Sequence, residues 1–586
     1  RKDNKPCPLP PILHAVAKRA SPSLRKRLIP PTAPTRPSVA QATTPTSILQ
    51  RPIHANQNAD NARTLKSCNP HPEFYTHNMN HSFLNLATLT ALCMASCHKM
   101  QAQNALSRAA HQAEYNVEAN LTASDGDAPF WLTANRYGVT STQGSNGYLR
   151  ASLIRNAQTD STHKWRIGYG ADLTMGYNQE STLFVQQLYA DFQYKLVNLT
   201  VGAKQEPMAF KNAELSTGSQ TLGINAHPVP AIRFSLPQYW NISGKGNWAA
   251  IRGHISYGLL TDGGFQQSYI GNHTAAHYAK NVLLHTKAGY LRLGNAQKFP
   301  LVFEGGIEMA TQFGGTSYNT LTWNGVNPEP IKMKHGVKDF VNALFGTGSD
   351  GTDGNGYANA AGNTLGSWMA RLTWHGADWS LSTYYDHFFE DHSQMFLQYG
   401  WLDGMVGIEA TLPKNLFVDH IVYEFVKTTY QSGPIYHDHT PEIEDQISGQ
   451  DNYYNHNMYA GWQHWGQALG NPLFVSPLYN HTADLTFTSN RFRAHHIGFS
   501  GNPTETLHYR LLYTHQRSLG TYSLPFDHAR TLNSFMAEVG YAPQRIGKLH
   551  TKGWQVKAAF ALDRGSLLQN NTGFQFSLSK TGLLTH

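Results

Sequence analysis

Cysteine is absent after position 97. The four cysteines, Cys7, Cys68, Cys93 and Cys97, all lie early in the chain, so neither disulfides nor thiolate metal sites can hold the remainder together. Long apolar runs are missing too. Past residue 104 no stretch of 18 apolar residues occurs, which excludes a membrane-spanning helix there. Charge is scarce at 14% of residues, and its excess of +8 is local: residues 1–78 carry 12 Lys/Arg against 3 Asp/Glu, leaving about −1 for everything after them. That distribution removes the case for a nucleic-acid partner. Catalytic signatures are also lacking, since the chain has neither a GxSxG elbow nor a phosphate-binding loop.

Residues 1–78 are rich in Pro, Ser and Thr and show no apolar periodicity. They are expected to be a disordered leader, read as non-native sequence upstream of the true start. From Met79 the chain reads MNHSFLNLATLTALCMASCHKMQAQNALS. A polar start, an apolar run over 83–95 and small residues near Ala102 give the layout of a signal peptide over 79–103. A loose lipobox ahead of Cys97 is the competing reading.

What the chain does have is aromatics at 12%, 50 glycines and alternation. In the stretch 183–240, Phe184, Leu188, Phe192 and Tyr194 are set against Gln187, Asp191 and Gln193. After Lys195 the set flips, so that Val197, Leu199 and Val201 oppose Asn198, Thr200 and Lys204. A period of two means one apolar and one wet face per strand. Similar segments begin near 113, 147, 164, 183, 196, 231, 247, 279, 301, 366, 378, 398, 415, 483, 506, 531, 552 and 572. Long connections (122–146, 206–230, 260–277, 316–364, 432–481, 518–530) follow odd strands, and short turns such as HGAD, LPKN, GNPTE and PQRIGK follow even ones. This predicts an all-β fold over 104–586: a single antiparallel transmembrane β-barrel of about 18 strands in the outer membrane, with long plugging extracellular loops. A run of β-sandwich domains shares the alternation but has no reason to keep the loop asymmetry.

Candidate chemistry is thin. Glu304 and Glu308 share a strand face about 13 Å apart, wider than the roughly 5 to 9.5 Å of glycosidase pairs. His495 and His496 are adjacent on a strand and point to opposite faces. His437 and His439 would need a third ligand. Asp350, Asp353 and Asn355, in the Gly-rich loop 346–362, have the wrong spacing for a calcium loop. No catalytic group, metal or cofactor is therefore expected, and the chain is read as a non-enzyme.

A binding surface remains. The long loops hold aromatic faces for stacking on sugars, and amide, carboxylate and Arg groups for hydroxyls and acidic sugars. The candidates are Trp131, Asn135 and Arg136 in the first loop, Glu206, Glu214 and Ser216 in the loop after 206, and Tyr453, Asn455, Trp462 and Trp465 further on. The plainer alternative is that these side chains pack the loops against one another. The segment AELSTGSQTLGINAHPVP, with Glu214 and Ser216, is expected to face or plug the outer mouth.

The stretches QQLYADFQYKLVNLTVGAKQE, ELSTGS and NAHPVPAIRFSLPQY resemble the Wzi-type capsule assembly family of Gram-negative outer membranes. So do FWLTANRYG at 130–138, DNYYNHNMYAGWQHWGQALGNPLFVSPLYN at 451–480, NRFRAHHIGF at 490–499 and the closing GFQFSLSKTGLL. The resemblance covers roughly residues 110–584. It implies an outer-membrane barrel of about 18 strands acting as a lectin that holds capsular polysaccharide or exopolysaccharide at the cell surface. The implied partners are capsular polysaccharide, outer-membrane lipid and the capsule export machinery. Only about ten residues precede the first strand, where better-known members carry a periplasmic helical part. A porin or uptake channel is the alternative, suggested by the polar lumen face.

Overall fold

The computed structural model describes residues 112–160, 163–273, 276–322, 325–347, 362–390, 395, 401–431 and 451–584. The leader, the signal segment, His437, His439, Asp350, Asp353 and Asn355 lie outside the described residues.

Eighteen strands make the wall. They are β1 Glu114–Asp125, β2 Ser145–Arg155, β3 Trp165–Tyr177, β4 Leu183–Tyr194, β5 Val197–Ala203, β6 Ala231–Asn241, β7 Ala249–Leu259, β8 Leu283–Leu293 and β9 Leu301–Phe313. The second half comprises β10 Asn363–His375, β11 Ser380–Glu390, β12 Gly404–Thr411, β13 His420–Lys427, β14 Phe492–Thr504, β15 Leu507–Gly520, β16 Pro525–Tyr541, β17 Trp554–Arg564 and β18 Asn571–Leu583. Each pairs antiparallel with its chain neighbours, and β18 pairs with β1 from Leu583 opposite Glu114 to Thr572 opposite Asp125. The ring is closed, so no strand in it is left with an unpaired edge.

Alternation assigns the two faces. Leu188, Phe192, Val201, Ile232, Phe234, Val406, Ile408, Phe574 and Phe576 point out and are exposed, whereas Asp191, Thr200, Ser235, Glu308, Ser382, Gln575 and Ser577 point in and are buried. An exposed apolar belt this continuous needs lipid around it. At the short-turn end the belt finishes in exposed Trp165, Tyr194, Trp240, Trp248, Trp374, Trp379 and Tyr541, an aromatic girdle at membrane–water level. This is an outer-membrane β-barrel with short turns in the periplasm and long loops outside.

Four expectations shift. The flip in alternation predicts the β4–β5 turn at 196–198, and the structure has it at Lys195-Leu196, with Lys195 at φ 53°. Phe184 was expected on the lipid face, but Asp172 pairs with Gln187 and Leu173 with Val185, so Gln186 is an extra residue. This bulge flips the phase and turns Phe184 inward, where it is buried. The strand expected near 483 starts at Phe492, and Leu485 and Phe487 before it are buried among the loops. The loop expected at 518–530 shrinks to 521–524, since β15 and β16 extend to Gly520 and Pro525.

Candidate functional site

Three loop segments enter the lumen: 126–144, 204–230 and 451–491. Their apolar side chains make a core with the wall, containing Phe130, Trp131, Leu132, Leu215, Tyr453, Tyr454, Trp462, Phe474 and Phe487. Tyr454 stacks on Phe474 with centroids 3.7 Å apart. Phe388 of β11 meets Tyr453 edge-on at 4.7 Å, and Phe492 of β14 meets Phe474 at 5.1 Å. The loops thus form a packed plug.

Wall carboxylates hold the plug. Glu424 of β13 accepts from Ser216 Oγ (2.5 Å), Thr217 N (2.7 Å), Thr217 Oγ1 (2.6 Å) and Tyr384 Oη (2.6 Å). Asp386 of β11 takes Lys211 Nζ at 2.6 Å, with both side chains 1% exposed. Glu538 of β16 binds Arg136 (3.2 Å) and Arg510 (2.8 Å). Asp563 of β17 accepts from Phe130 N at 2.9 Å, and Glu390 from Tyr454 N at 2.6 Å. Charges this buried persist only when paired and hydrogen-bonded, so the wall acids specify where the plug sits. The bulge adds another hold. Gln186 donates to Tyr137 O (2.7 Å) and accepts from His227 Nδ1 (2.8 Å), while Phe184 stacks on His227 at 4.4 Å. Burial pushes His227 down to about 3, keeping it neutral.

The sequence candidates divide among plug, cleft and periplasm. Trp131, Ser216, Tyr453 and Trp462 are buried in the plug: Trp131 Nε1 donates to Thr514 Oγ1 (3.1 Å) and Trp462 Nε1 to Thr221 O (3.0 Å). They offer no free face to a sugar. Asn135 donates to Ser216 O and Thr217 O, and Asn455 exchanges hydrogen bonds with the Phe487 backbone. Half-buried Trp465 donates its backbone N–H to Asp262 Oδ2. The plainer reading, structural packing, describes all of these: Asn135, Asn455 and Trp462 are held by other loops, and Trp131, Ser216 and Arg136 by the wall. Glu206 lines an inner cleft of about 160 Å³ between plug and wall, facing Arg233 at 3.8 Å beside Lys204 and His254. Glu214 is exposed, but not at the outer mouth. Its partner His508, at 3.4 Å, is the second residue of β15, next to a periplasmic turn. The 204–230 loop therefore crosses the lumen, and the His508 hydrogen bond holds the Glu214 carboxyl below the usual range. His495 and His496 do part: His496 bonds Leu215 O (2.6 Å) inside, and His495 contacts Tyr423 Oη (2.9 Å) outside.

Open space at the outer mouth lies elsewhere. A groove of about 600 Å³ is lined by Ser141, Gln143, Asn178, Gln179, Glu180, Phe265, Ser268, Tyr269, Leu478 and His481. Its aromatic side comes from helix α1, Gly263–Ile270. Phe265 and Tyr269 are one turn apart on one face, with centroids at 5.7 Å, and Trp465 backs Phe265 at 5.4 Å. Facing them, the β3–β4 turn supplies Asn178, Gln179 and Glu180. Ser141 Oγ donates to Glu180 at 3.4 Å, and burial pushes the Glu180 carboxyl up to about 7. Asn178 Nδ2 is bonded to Ser145 O and Gln179 Nε2 to Val139 O and Gly147 O, so half-buried rings stand opposite amide oxygens and the Glu180 carboxyl, an arrangement that suits a ligand with apolar faces and hydroxyl edges. The sequence hides this groove because 260–277 reads as a long connection. The i, i+4 spacing of Phe265 and Tyr269 was the available signal.

No family model matches the chain, and no curated protein matches it. Among solved structures, the barrel is similar to Wzi of Escherichia coli, described as an outer-membrane carbohydrate-binding β-barrel involved in group 1 capsule assembly. That likeness has 13% identity, covers 81% of this chain and 85% of that one, and has a TM-score of 0.49. It is also similar to OccK5 (OpdH) of Pseudomonas aeruginosa (9% identity, 80% and 97% covered, TM-score 0.41) and to OprD of the same organism (7%, 80% and 94%, 0.39). At these identities the likeness is one of barrel architecture.

Proposed function

We propose that this outer-membrane barrel is a non-enzymatic binder of surface polysaccharide, of the capsular or exopolysaccharide kind, and that the groove beside α1 is where a segment of glycan lies. The observation that carries this reading is the groove itself: two aligned rings opposite amide and carboxyl groups, on a mouth whose lumen is filled by a hydrogen-bonded plug. Replacing Tyr269 by Ala removes half the stacking platform and is expected to weaken glycan binding about tenfold, from about 1–1.5 kcal/mol of lost ring contact. Binding of purified capsular polysaccharide to Tyr269→Ala, with heat-modifiable gel migration as the folding control, measures it. An unchanged affinity would remove the groove from the reading.

Glu180 gives the site a pH dependence. Its raised value means the carboxyl is neutral and donating below about pH 7 and anionic above it. An acidic polysaccharide is therefore expected to bind well near pH 6 and progressively less well as pH rises through 7 to 8. Glu180→Gln stays neutral throughout and should flatten the profile over that range. A wild-type profile that is already flat counts against Glu180 facing the ligand.

The second reading, an uptake channel, is favoured by the charged inner cleft with Lys204, Glu206 and Arg233. Large steady conductance of the wild-type protein in planar bilayers would support it. A silent bilayer agrees with a plug that stays in place.

A further inference from the structure

The loop between β9 and β10 contains a second helix, α2, Val337–Phe345. It lies against the outside of the barrel. Directly paired residues of an antiparallel sheet share a face, and Tyr257, His285 and Thr311 form one such row across β7, β8 and β9. Ile255, Lys287 and Met309 form the next. These rows belong to the lipid-facing side, where Ile232, paired with Tyr257, and Ile255 are exposed.

The helix docks on that surface. Phe340 packs on Tyr257 (5.2 Å between centroids) and on Phe313 (5.1 Å), and Tyr257 Oη donates to Phe340 O at 2.8 Å. Lys287, a charge on a lipid-facing row, donates Nζ to Ala343 O (3.3 Å) and Leu344 O. The last carbonyls of a helix are the favourable place for that ammonium.

At about 100° per residue, α2 divides into three sectors. Phe340, Ala343 and Leu344 face the barrel. Lys338, Asp339 and Asn342 form a polar edge. Val337, Val341 and Phe345, spaced i, i+4, i+8, form an apolar stripe on the flank between the barrel-facing sector and the polar one. These three residues are 84%, 47% and 68% exposed. Lys332, Lys334 and Lys338 are exposed around the start of the helix.

We propose that α2 is an outer-leaflet lipid clamp: its Val337/Val341/Phe345 stripe lies in the acyl–headgroup boundary, and Lys332, Lys334 and Lys338 take lipid phosphates. The occupant follows from two observations, continuity with the lipid-facing belt and the basic edge beside the stripe. An apolar stripe at the extracellular end of β7–β9 borders outer-leaflet lipid on its barrel side, and an interfacial helix combines such a stripe with Lys on the polar side. This inference rests on the barrel fold and is independent of what the groove binds.

In-cell photo-crosslinking tests it on the full chain, with p-benzoylphenylalanine placed at position 345, at lipid-facing position 234 or at plug position 130. A lipopolysaccharide adduct at 345 in yield comparable to 234, and none at 130, is the expected result. An adduct at 234 with only protein adducts, or none, at 345 overturns the proposal. The triple variant Lys332→Gln, Lys334→Gln, Lys338→Gln should lower the 345 adduct about fivefold or more, each lysine near an anionic surface contributing roughly that factor. Yield at 234 should stay constant. An unaltered 345 yield would overturn the phosphate contacts.

Discussion

Glu424→Ala is expected to loosen the plug and open the pore. The substitution leaves Ser216 Oγ, Thr217 N, Thr217 Oγ1 and Tyr384 Oη facing a space that held their common acceptor. Each buried donor without a partner costs about 1–3 kcal/mol, less where the site can rehydrate. A loss of about 3–5 kcal/mol is therefore reasonable, comparable to breaking a buried ion pair. The temperature at which the folded gel band converts should fall by several degrees, and bilayers silent with wild-type protein should show conductance steps. Glu424→Gln keeps one acceptor oxygen and should fall between the two. A Glu424→Ala protein with wild-type conversion temperature and no conductance would show that the plug is held by its apolar core alone.

Lys211→Met is expected to be as damaging, for the opposite charge. Asp386 and Lys211 are both almost fully enclosed, and Asp386 Oδ1 has no hydrogen-bond partner, so the carboxylate depends on that ammonium. Removing the lysine strands a buried anion at about 3–5 kcal/mol. The double variant Lys211→Met/Asp386→Leu replaces the pair by apolar groups of similar volume, an exchange that is often neutral or stabilising. It should recover most of the loss. Urea or thermal conversion of the three variants measures this, and a double variant no better than Lys211→Met would show that the site cannot repack.

The wall was legible because lipid imposes an apolar face on every strand, which writes a period of two into β4, β5, β15, β17 and β18. It was illegible where that pressure stops. Gln186 carries no mark of a bulge, since Gln186 and Gln187 are both polar and either could face inward. Leu485 and Phe487 alternate like a strand but are buried by a plug that no local pattern announces. The aromatics of 451–480 were recognisable as unusual for a loop. Their burial was not, because it depends on Phe388 and Phe492, distant in sequence and near only after closure. Glu214 was misplaced for the same reason: a loop starting at the outer rim gives no sign of how deep it reaches. Phe265 and Tyr269 do not stand out in the sequence, because eight helical residues inside a long connection make a weak periodic signal.

The seam between β1 and β18 carries a kinetic consequence. Asn120 Nδ2 reaches Ser577 Oγ across 457 residues of chain, about as non-local as a contact in this protein can be, and such contacts slow folding. The first plug segment crosses the same seam, with Phe130 N on Asp563 and Arg136 on Glu538. Seating of the first plug segment therefore waits on the same late strands that close the ring. A chain whose last strands have not yet been added has neither a finished wall nor the acids that seat its first loop.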